Sequence, residues 1–191
     1  MAYVDIDDTI RETHGYAKQG TGYGYSGVKG LNALVATLST PTAAPVIAGI
    51  RLRKGSVKSP RGAGAMIAEA LATARRAGAG GLVTVRADSA FYQHDVVATV
   101  RRGGAHFSIT ARMDAAVVAA VSRIPEEAWV GITYPEAIFD EAEQRWISDA
   151  QVAEIPYTAF TSRKKANHIA ARLIVRRVKR LNPRSVPQGQ S

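Results

Sequence analysis

Apolar and acidic positions alternate from Tyr3 to Asp8. Val4 and Ile6 share one face and Asp5 and Asp7 the other, the period-two pattern of a strand. A Gly- and Tyr-rich loop follows over residues 9–27 and reads as part of a hairpin. The apolar run Leu31–Leu38, with its Thr and Val content and flanking breakers, favours a strand within Val28–Thr40 over a helix. Pro41 and Pro45 bracket a turn, and Val46–Arg53 forms another strand. A basic loop, Lys54–Gly64, leads to the clearest helix, Ala65–Arg76, with Ile67, Leu71 and Ala74 on one face and Gly78, Gly80 and Gly81 as its stop. Leu82–Ala87 reads as a buried-type strand ending at Asp88, Tyr92–Arg102 as a helix and His106–Ala111 as a strand. Ala115–Arg123 follows as a helix capped by Asp114. Beyond Pro125 the pattern breaks into aromatics, proline and acids. Short strands are expected over Trp129–Ile147 and at Tyr157–Phe160. Ala171–Leu181 suits a strand with basic residues at its edge or a basic helix, and residues 184–191 a disordered tail.

Three strands without long crossovers are antiparallel hairpin-type; later strands that alternate with helices run parallel to the first. The expected fold class is therefore α/β with a mixed sheet. The order resembles an RNase H-like core over residues 1–125, followed by a β-rich basic insertion over residues 126–183.

No apolar run approaches the roughly 18 residues of a membrane helix, and residues 1–8 do not read as a leader peptide. The absence of cysteine excludes disulfides and thiolate metal sites and fits a reducing cytoplasm. The net charge of +9 is unevenly placed. Residues 1–160 hold sixteen Lys/Arg and sixteen Asp/Glu. Residues 161–191 hold Arg163, Lys164, Lys165, Arg172, Arg176, Arg177, Lys179, Arg180 and Arg184 and no acid. Such a block attracts phosphate backbones by counterion release, which points to nucleic acid rather than a merely solvated face. Lys54, Lys58 and Arg61 are further candidate phosphate contacts.

Ligands of open α/β sheets bind at the carboxyl ends of parallel strands. If the first and fourth strands are neighbours, Asp7 and Asp88 meet there, with Asp5 on the face of Asp7. Converging carboxylates repel each other unless a cation or proton intervenes. Mg²⁺ or Mn²⁺ suits such oxygen ligands, and a pair of ions can clamp an in-line phosphoryl displacement. Other constellations carry less. Gly22–Lys29 misses the P-loop spacing, the four histidines show no metal spacing, and Ser89 lacks the setting of a hydrolase nucleophile. Tyr16, Tyr23 and Tyr25 read as packing rather than as base-stacking groups.

The stretches Tyr3–Thr9, Ser26–Ala33, Arg51–Gly55 and Leu82–Ser89 together resemble DDE transposases of bacterial insertion sequences, over about residues 3–183. The resemblance implies Asp7 as first catalytic aspartate, in Asp7-Asp8-Thr9, with Asp5 in support. It implies Asp88 as the second, in Arg86-Ala87-Asp88-Ser89. It further implies divalent metal, double-stranded DNA at element ends and target as partner, and a homo-oligomer of the intact protein. The family also needs a Glu on a late helix. That residue is expected to be missing, with Glu126 and Glu127 forming a turn, so the chain is expected to be a fragment that does not transpose alone. A remnant that only binds DNA through residues 161–181 is an alternative reading. Asp5-Ile6-Asp7-Asp8-Thr9 also resembles the haloacid dehalogenase-type phosphatases, which would make Asp5 the nucleophile and Asp7 the general acid. Those enzymes alternate strand and helix from the start, however, and need a late, closely spaced acidic pair, whereas Asp95 falls within the helix after Asp88.

Overall fold

The computed structural model describes residues 1–15, 18–140 and 145–178. The chain forms two compact units, Met1–Arg112 and Met113–Ser191. The change of composition after residue 125 falls later than this division, and the third helix lies between the two limits.

The first unit is built on a six-stranded mixed sheet. Its strands are β1 (Ala2–Glu12), β2 (Gly22–Tyr23), β3 (Lys29–Thr40), β4 (Ala43–Lys54), β5 (Val83–Ala87) and β6 (His106–Ile109), with helices α1 (Ala63–Arg76) and α2 (His94–Arg102). The order is β2-β3-β1-β5-β6, with β4 also paired to β3. β3 is antiparallel to β1 and to β4, whereas β5 is parallel to β1 and β6 to β5. This is the expected mixed sheet, three antiparallel strands and then parallel ones alternating with helices, and it is compatible with an RNase H-like fold.

The alternation in β1 explains how the sheet is covered. Val4 and Ile6 point to the side where α1 packs, and they join Leu34, Ala36, Met66, Ile67, Leu71, Val83, Val85, Phe91 and Val100 in one buried cluster. Ile67 and Leu71 lie one turn apart, so a single stripe of α1 enters this cluster. Ile47, Ile50 and Leu52 of β4, by contrast, stay mostly exposed. β4 is an edge strand, paired only to β3, and its register slips at two places. Pro45 lies inside this strand rather than at a turn before it. An edge position tolerates proline because no ladder bond needs its missing N–H.

The Gly-rich segment is packed against other backbone. A Cβ on Gly55 would run into the carbonyl oxygens of Gly30 and Gly22, and one on Gly30 into the Arg11 carbonyl. These glycines let the β1–β2–β3 corner sit against the end of β4, which accounts for a P-loop-like composition without a P-loop.

The second unit holds α3 (Ala115–Val121) and a three-stranded antiparallel sheet, β7 (Val130–Asp140), β8 (Arg145–Ala159) and β9 (Ile169–Arg177). Asp114 caps α3, accepting from the N–H groups of Ala116 and Val117. The strands are longer than expected: β8 runs through fifteen residues, including Pro156. The ambiguous basic segment is a strand, not a helix. As far as Arg177, Arg172 and Arg176 face away from Leu173 and Val175 while Arg177 shares their side, and a cross-strand ladder to β8 holds the strand. Lys179, Arg180, Arg184 and the tail 184–191 lie outside the described residues, as does Tyr16.

Gly55→Ala is expected to lower unfolding stability by about 1–3 kcal/mol or more, since backbone oxygens cannot give way as side chains do. Gly80→Ala, which meets open space, is expected to stay within about 0.5 kcal/mol. Urea denaturation midpoints of the two variants check this.

Candidate active site at the carboxyl ends of the parallel strands

β1 and β5 lie side by side and parallel, with Asp5 level with Arg86 in the ladder. Two residues beyond this last pair, Asp7 lies within β1 and Asp88 directly follows the carboxyl end of β5. Asp7 is exposed, and its Oδ1 accepts from the Asp8 N–H at 2.7 Å. Asp88 follows β5 directly and caps a short 3₁₀ turn, accepting from the Ala90 N–H at 2.9 Å. Arg112 donates to the Ser89 carbonyl at 3.1 Å, tying down the same turn. Each acid therefore has one oxygen fixed by backbone, which sets its orientation.

Tyr25, from the Gly/Tyr loop, reports on both acids. Burial and then the charges of Asp8, Asp7 and Asp88 hold its phenol above the ordinary tyrosine value. Tyr25 is itself 72% exposed, so solvent screens these charges. A phenol in this field keeps its proton at neutral pH and remains a hydrogen-bond donor.

Asp5 and Asp7 share a face but are occupied differently. Arg86 forks onto Asp5, with Nε to Oδ1 at 2.5 Å and Nη2 to Oδ2 at 2.8 Å. The Arg86 guanidinium also lies 4.3 Å from the centre of the Tyr3 ring. Its hydrogen bond to Asp5 raises the guanidinium pKa above its ordinary value, although desolvation opposes this. Asp5 is thus engaged by a cation on the face it shares with Asp7.

Asp8 has no counterpart in the sequence-based assignment. It lies on the Val4–Ile6 face and is only 8% exposed. Arg53 Nη2 donates to its Oδ2 at 2.9 Å, and the Asn32 amide donates to the same oxygen. The Arg53 side chain is 11% exposed and that of Asp8 4%. Arg53 also reaches Asn32 Oδ1 and the carbonyls of Ser59 and Arg61. Burial lowers the Arg53 pKa, and Asp8 pulls it back up. One guanidinium therefore joins β1, β3, β4 and the basic loop. The sequence signal was an acid on the apolar face of a strand, which demands a buried partner.

The loop that Arg53 holds forms one wall of a crevice of about 720 Å³. Ser56, Lys58, Pro60 and Arg61 line one side, and Gln93, Asp95 and Thr99 of the α2 region the other. Lys58 and Arg61 thus come together on the crevice, while Lys54 ends β4 beside it.

Three of the C-terminal basic residues, Arg172, Arg176 and Arg177, are engaged within the second unit. Arg177 forks onto Glu126, donates to Gln151 at 2.9 Å, and lies 4.0 Å from the Trp129 ring centre. The hydrogen bond to Glu126 raises its pKa. Arg172 bridges to Glu154 at 3.0 Å and Arg176 donates to the Tyr134 hydroxyl at 2.9 Å. Arg163, Lys164 and Lys165 stand in the exposed turn between β8 and β9. The charge is also distributed differently by unit. Residues 1–112 carry fourteen Lys/Arg against seven Asp/Glu, and residues 113–160 two against nine. The apparent neutrality of residues 1–160 thus hides a surplus of seven positive charges on the first unit.

Among the described residues no three His, Asp or Glu side chains form a cluster able to hold a metal ion. Asp7 and Asp88 still supply hard oxygen donors, and Mg²⁺ commonly uses only one or two carboxylates beside water and substrate phosphate. No described helix is long and apolar enough to cross a membrane.

Asp8→Ala is expected to destabilise the fold by about 3 kcal/mol, because it strands a buried guanidinium. In a double-mutant cycle with Arg53→Met, a coupling near zero would remove the pair from this role. Tb³⁺ is expected to show tyrosine-sensitised luminescence on the wild-type chain. Tyr25→Phe should reduce the signal, Asp7→Asn/Asp88→Asn should abolish it, and excess Mg²⁺ should compete it away.

Residues 2–186 match a family model described as Transposase DDE domain group 1. No curated protein matches the chain.

Proposed function

The chain belongs to the DDE transposases, group 1, and from that premise we propose that Asp7 and Asp88 are its catalytic carboxylates in phosphodiester hydrolysis and strand transfer on DNA. Transposition is the function of the family, and DNA its partner. The observation that carries the finer reading is the parallel pairing of β1 with β5 as far as Asp5 and Arg86, which leaves Asp7 and Asp88 each two residues beyond the last pair.

The family uses divalent metal ions. Asp7 and Asp88 would hold Mg²⁺ or Mn²⁺, which would stabilise the attacking and leaving oxygens of an in-line displacement. The remaining roles fall to this chain's own groups. The protonated Tyr25 phenol donates to a non-bridging phosphate oxygen. Lys58 and Arg61, with Lys54 at the edge of the crevice, bind backbone phosphates along the strand being cut. Arg53 is a positioning residue that fixes the crevice loop relative to Asp7. In the first step a water oxygen forms a bond to phosphorus, the bond to the 3′-oxygen breaks, and that oxygen leaves as a hydroxyl. In the second step the freed 3′-hydroxyl attacks a target phosphate and releases the target's own 3′-oxygen. Neither step passes through a covalent enzyme intermediate.

The phosphatase alternative lacks support in the fold. β1 continues past Thr9 to Glu12, the next described elements are strands, and Asp5 is bound to Arg86. A chain that binds DNA without cutting it is the second reading, favoured by the positive surplus of the first unit.

Incubation of the chain with supercoiled DNA and Mg²⁺ or Mn²⁺ is expected to yield strand breaks. Asp7→Asn and Asp88→Asn should each reduce them by about 100-fold or more, since even outer-shell changes at metal sites cost roughly 10–100-fold. Breaks that persist in both variants would sink the assignment. Salt-sensitive binding without breaks would favour the second reading.

A further inference from the structure

Helices α1 and α2 end in the same way. Residues 73–78 read Thr-Ala-Arg-Arg-Ala-Gly and residues 99–104 read Thr-Val-Arg-Arg-Gly-Gly, so both follow Thr-x-Arg-Arg-x-Gly. In each helix the second arginine donates to the threonine hydroxyl three residues back, Arg76 to Thr73 at 2.9 Å and Arg102 to Thr99 at 2.8 Å. In each, the last glycine adopts the left-handed conformation that stops the helix, Gly78 at φ 94° and Gly104 at φ 65°. Arg75 crosses to the other helix and donates to the Gly103 carbonyl, locking the two ends together.

The result is a cluster of four exposed guanidiniums at the paired helix ends. No acidic residue occurs over residues 70–87 or 96–113. Helix-end electrostatics do not account for the whole cluster. Each helix C-terminus presents about half a negative charge, so two ends call for about one positive charge and leave about three uncompensated. The Arg75–Arg76 end of α1 lies away from the crevice described above, whereas Arg102 donates to Thr99 on the crevice wall. α1 starts at the loop held by Arg53, and its fourteen residues carry its far end about 20 Å away. Packed helices run about 8–10 Å apart, a spacing that falls within the roughly 6–12 Å widths of the DNA grooves.

We propose that the paired ends of α1 and α2 form a further contact surface for duplex DNA, continuing from the Thr99 wall of the crevice, with Arg76, Arg101 and Arg102 binding backbone phosphates. Arg75 serves to join the helices. The contact is electrostatic and sequence-independent, because guanidiniums on phosphates position a duplex without reading bases. The inference rests on DNA being the partner of this family and not on the chemistry assigned to Asp7 and Asp88.

The test is metal-free fluorescence anisotropy of the full chain on a labelled duplex of unrelated sequence, across a salt series. Arg76→Gln/Arg101→Gln/Arg102→Gln is expected to flatten the slope of log affinity against log salt by about 2–3, near 0.9 for each phosphate no longer neutralised. Arg76→Lys/Arg101→Lys/Arg102→Lys retains the charges and is expected to keep most of the slope, which guards against a folding artefact. Circular dichroism melts of all variants should coincide. An unchanged slope and affinity in a folded Gln variant would overturn the proposal, as would equal losses in the Gln and Lys variants. Asp7→Asn/Asp88→Asn is expected to leave the slope unchanged or to steepen it slightly. Failure of the cutting assay therefore leaves this result separately readable.

Discussion

One buried ion pair organises the end of the first unit that carries Asp7. Asp8 and Arg53 are 45 residues apart in sequence, and their contact closes β1, β3 and β4 around Asn32. A lone carboxylate in this position would carry a desolvation cost that the surrounding apolar side chains cannot offset. The pair succeeds because Asn32 and two loop carbonyls satisfy what remains of both groups. The strand period does the rest. With Asp8 turned inward, Asp7 must face outward. The inner acid holds the scaffold, and the outer acid is left exposed to solvent.

The alternation that assigns β1 to a sheet is legible in the sequence, as are the stripe of α1 and the strand ending at Asp88. The reasons are local: period, cap and breaker all act within a few residues. Asp5 is legible as a face-mate of Asp7 but not as the partner of Arg86, since that pairing depends on the register between two strands. Asp8 is hidden for the same reason. Tyr25 reads as mere packing because glycine-rich loops give no directional signal, whereas in the fold it is largely exposed. Pro45 reads as a turn residue because its tolerance depends on β4 being an edge, a property of the sheet rather than of the segment.

Charge is the most deceptive feature of the sequence. A total over residues 1–160 averages an acidic β-rich stretch with a basic core. Once divided by folding unit, the surplus moves to the unit that carries Asp7 and Asp88. Arg172 and Arg177 are meanwhile paired with Glu154 and Glu126 in the second. For a phosphate-binding protein this matters physically. Screening confines the field of an exposed charge to about 10 Å at moderate salt, so the cations that act on a strand are those beside it in the fold.

The long edge strand β4 has a consequence for how the chain behaves at high concentration. Its open side offers a row of backbone donors and acceptors beside exposed Ile47, Ile50 and Leu52, a template on which another chain's strand can grow. Two features interrupt that template. Pro45 removes a donor, and the register slips near Ala36 and Leu38 bend the strand away from the flat geometry that extended pairing requires. The interruptions lie in the first half of β4, toward Ala43. The half ending at Lys54 keeps a regular ladder and apolar Ile50 and Leu52, and with Arg51 bridged to Glu69 and Arg53 buried against Asp8, the charge of Lys54 is left to oppose stacking there.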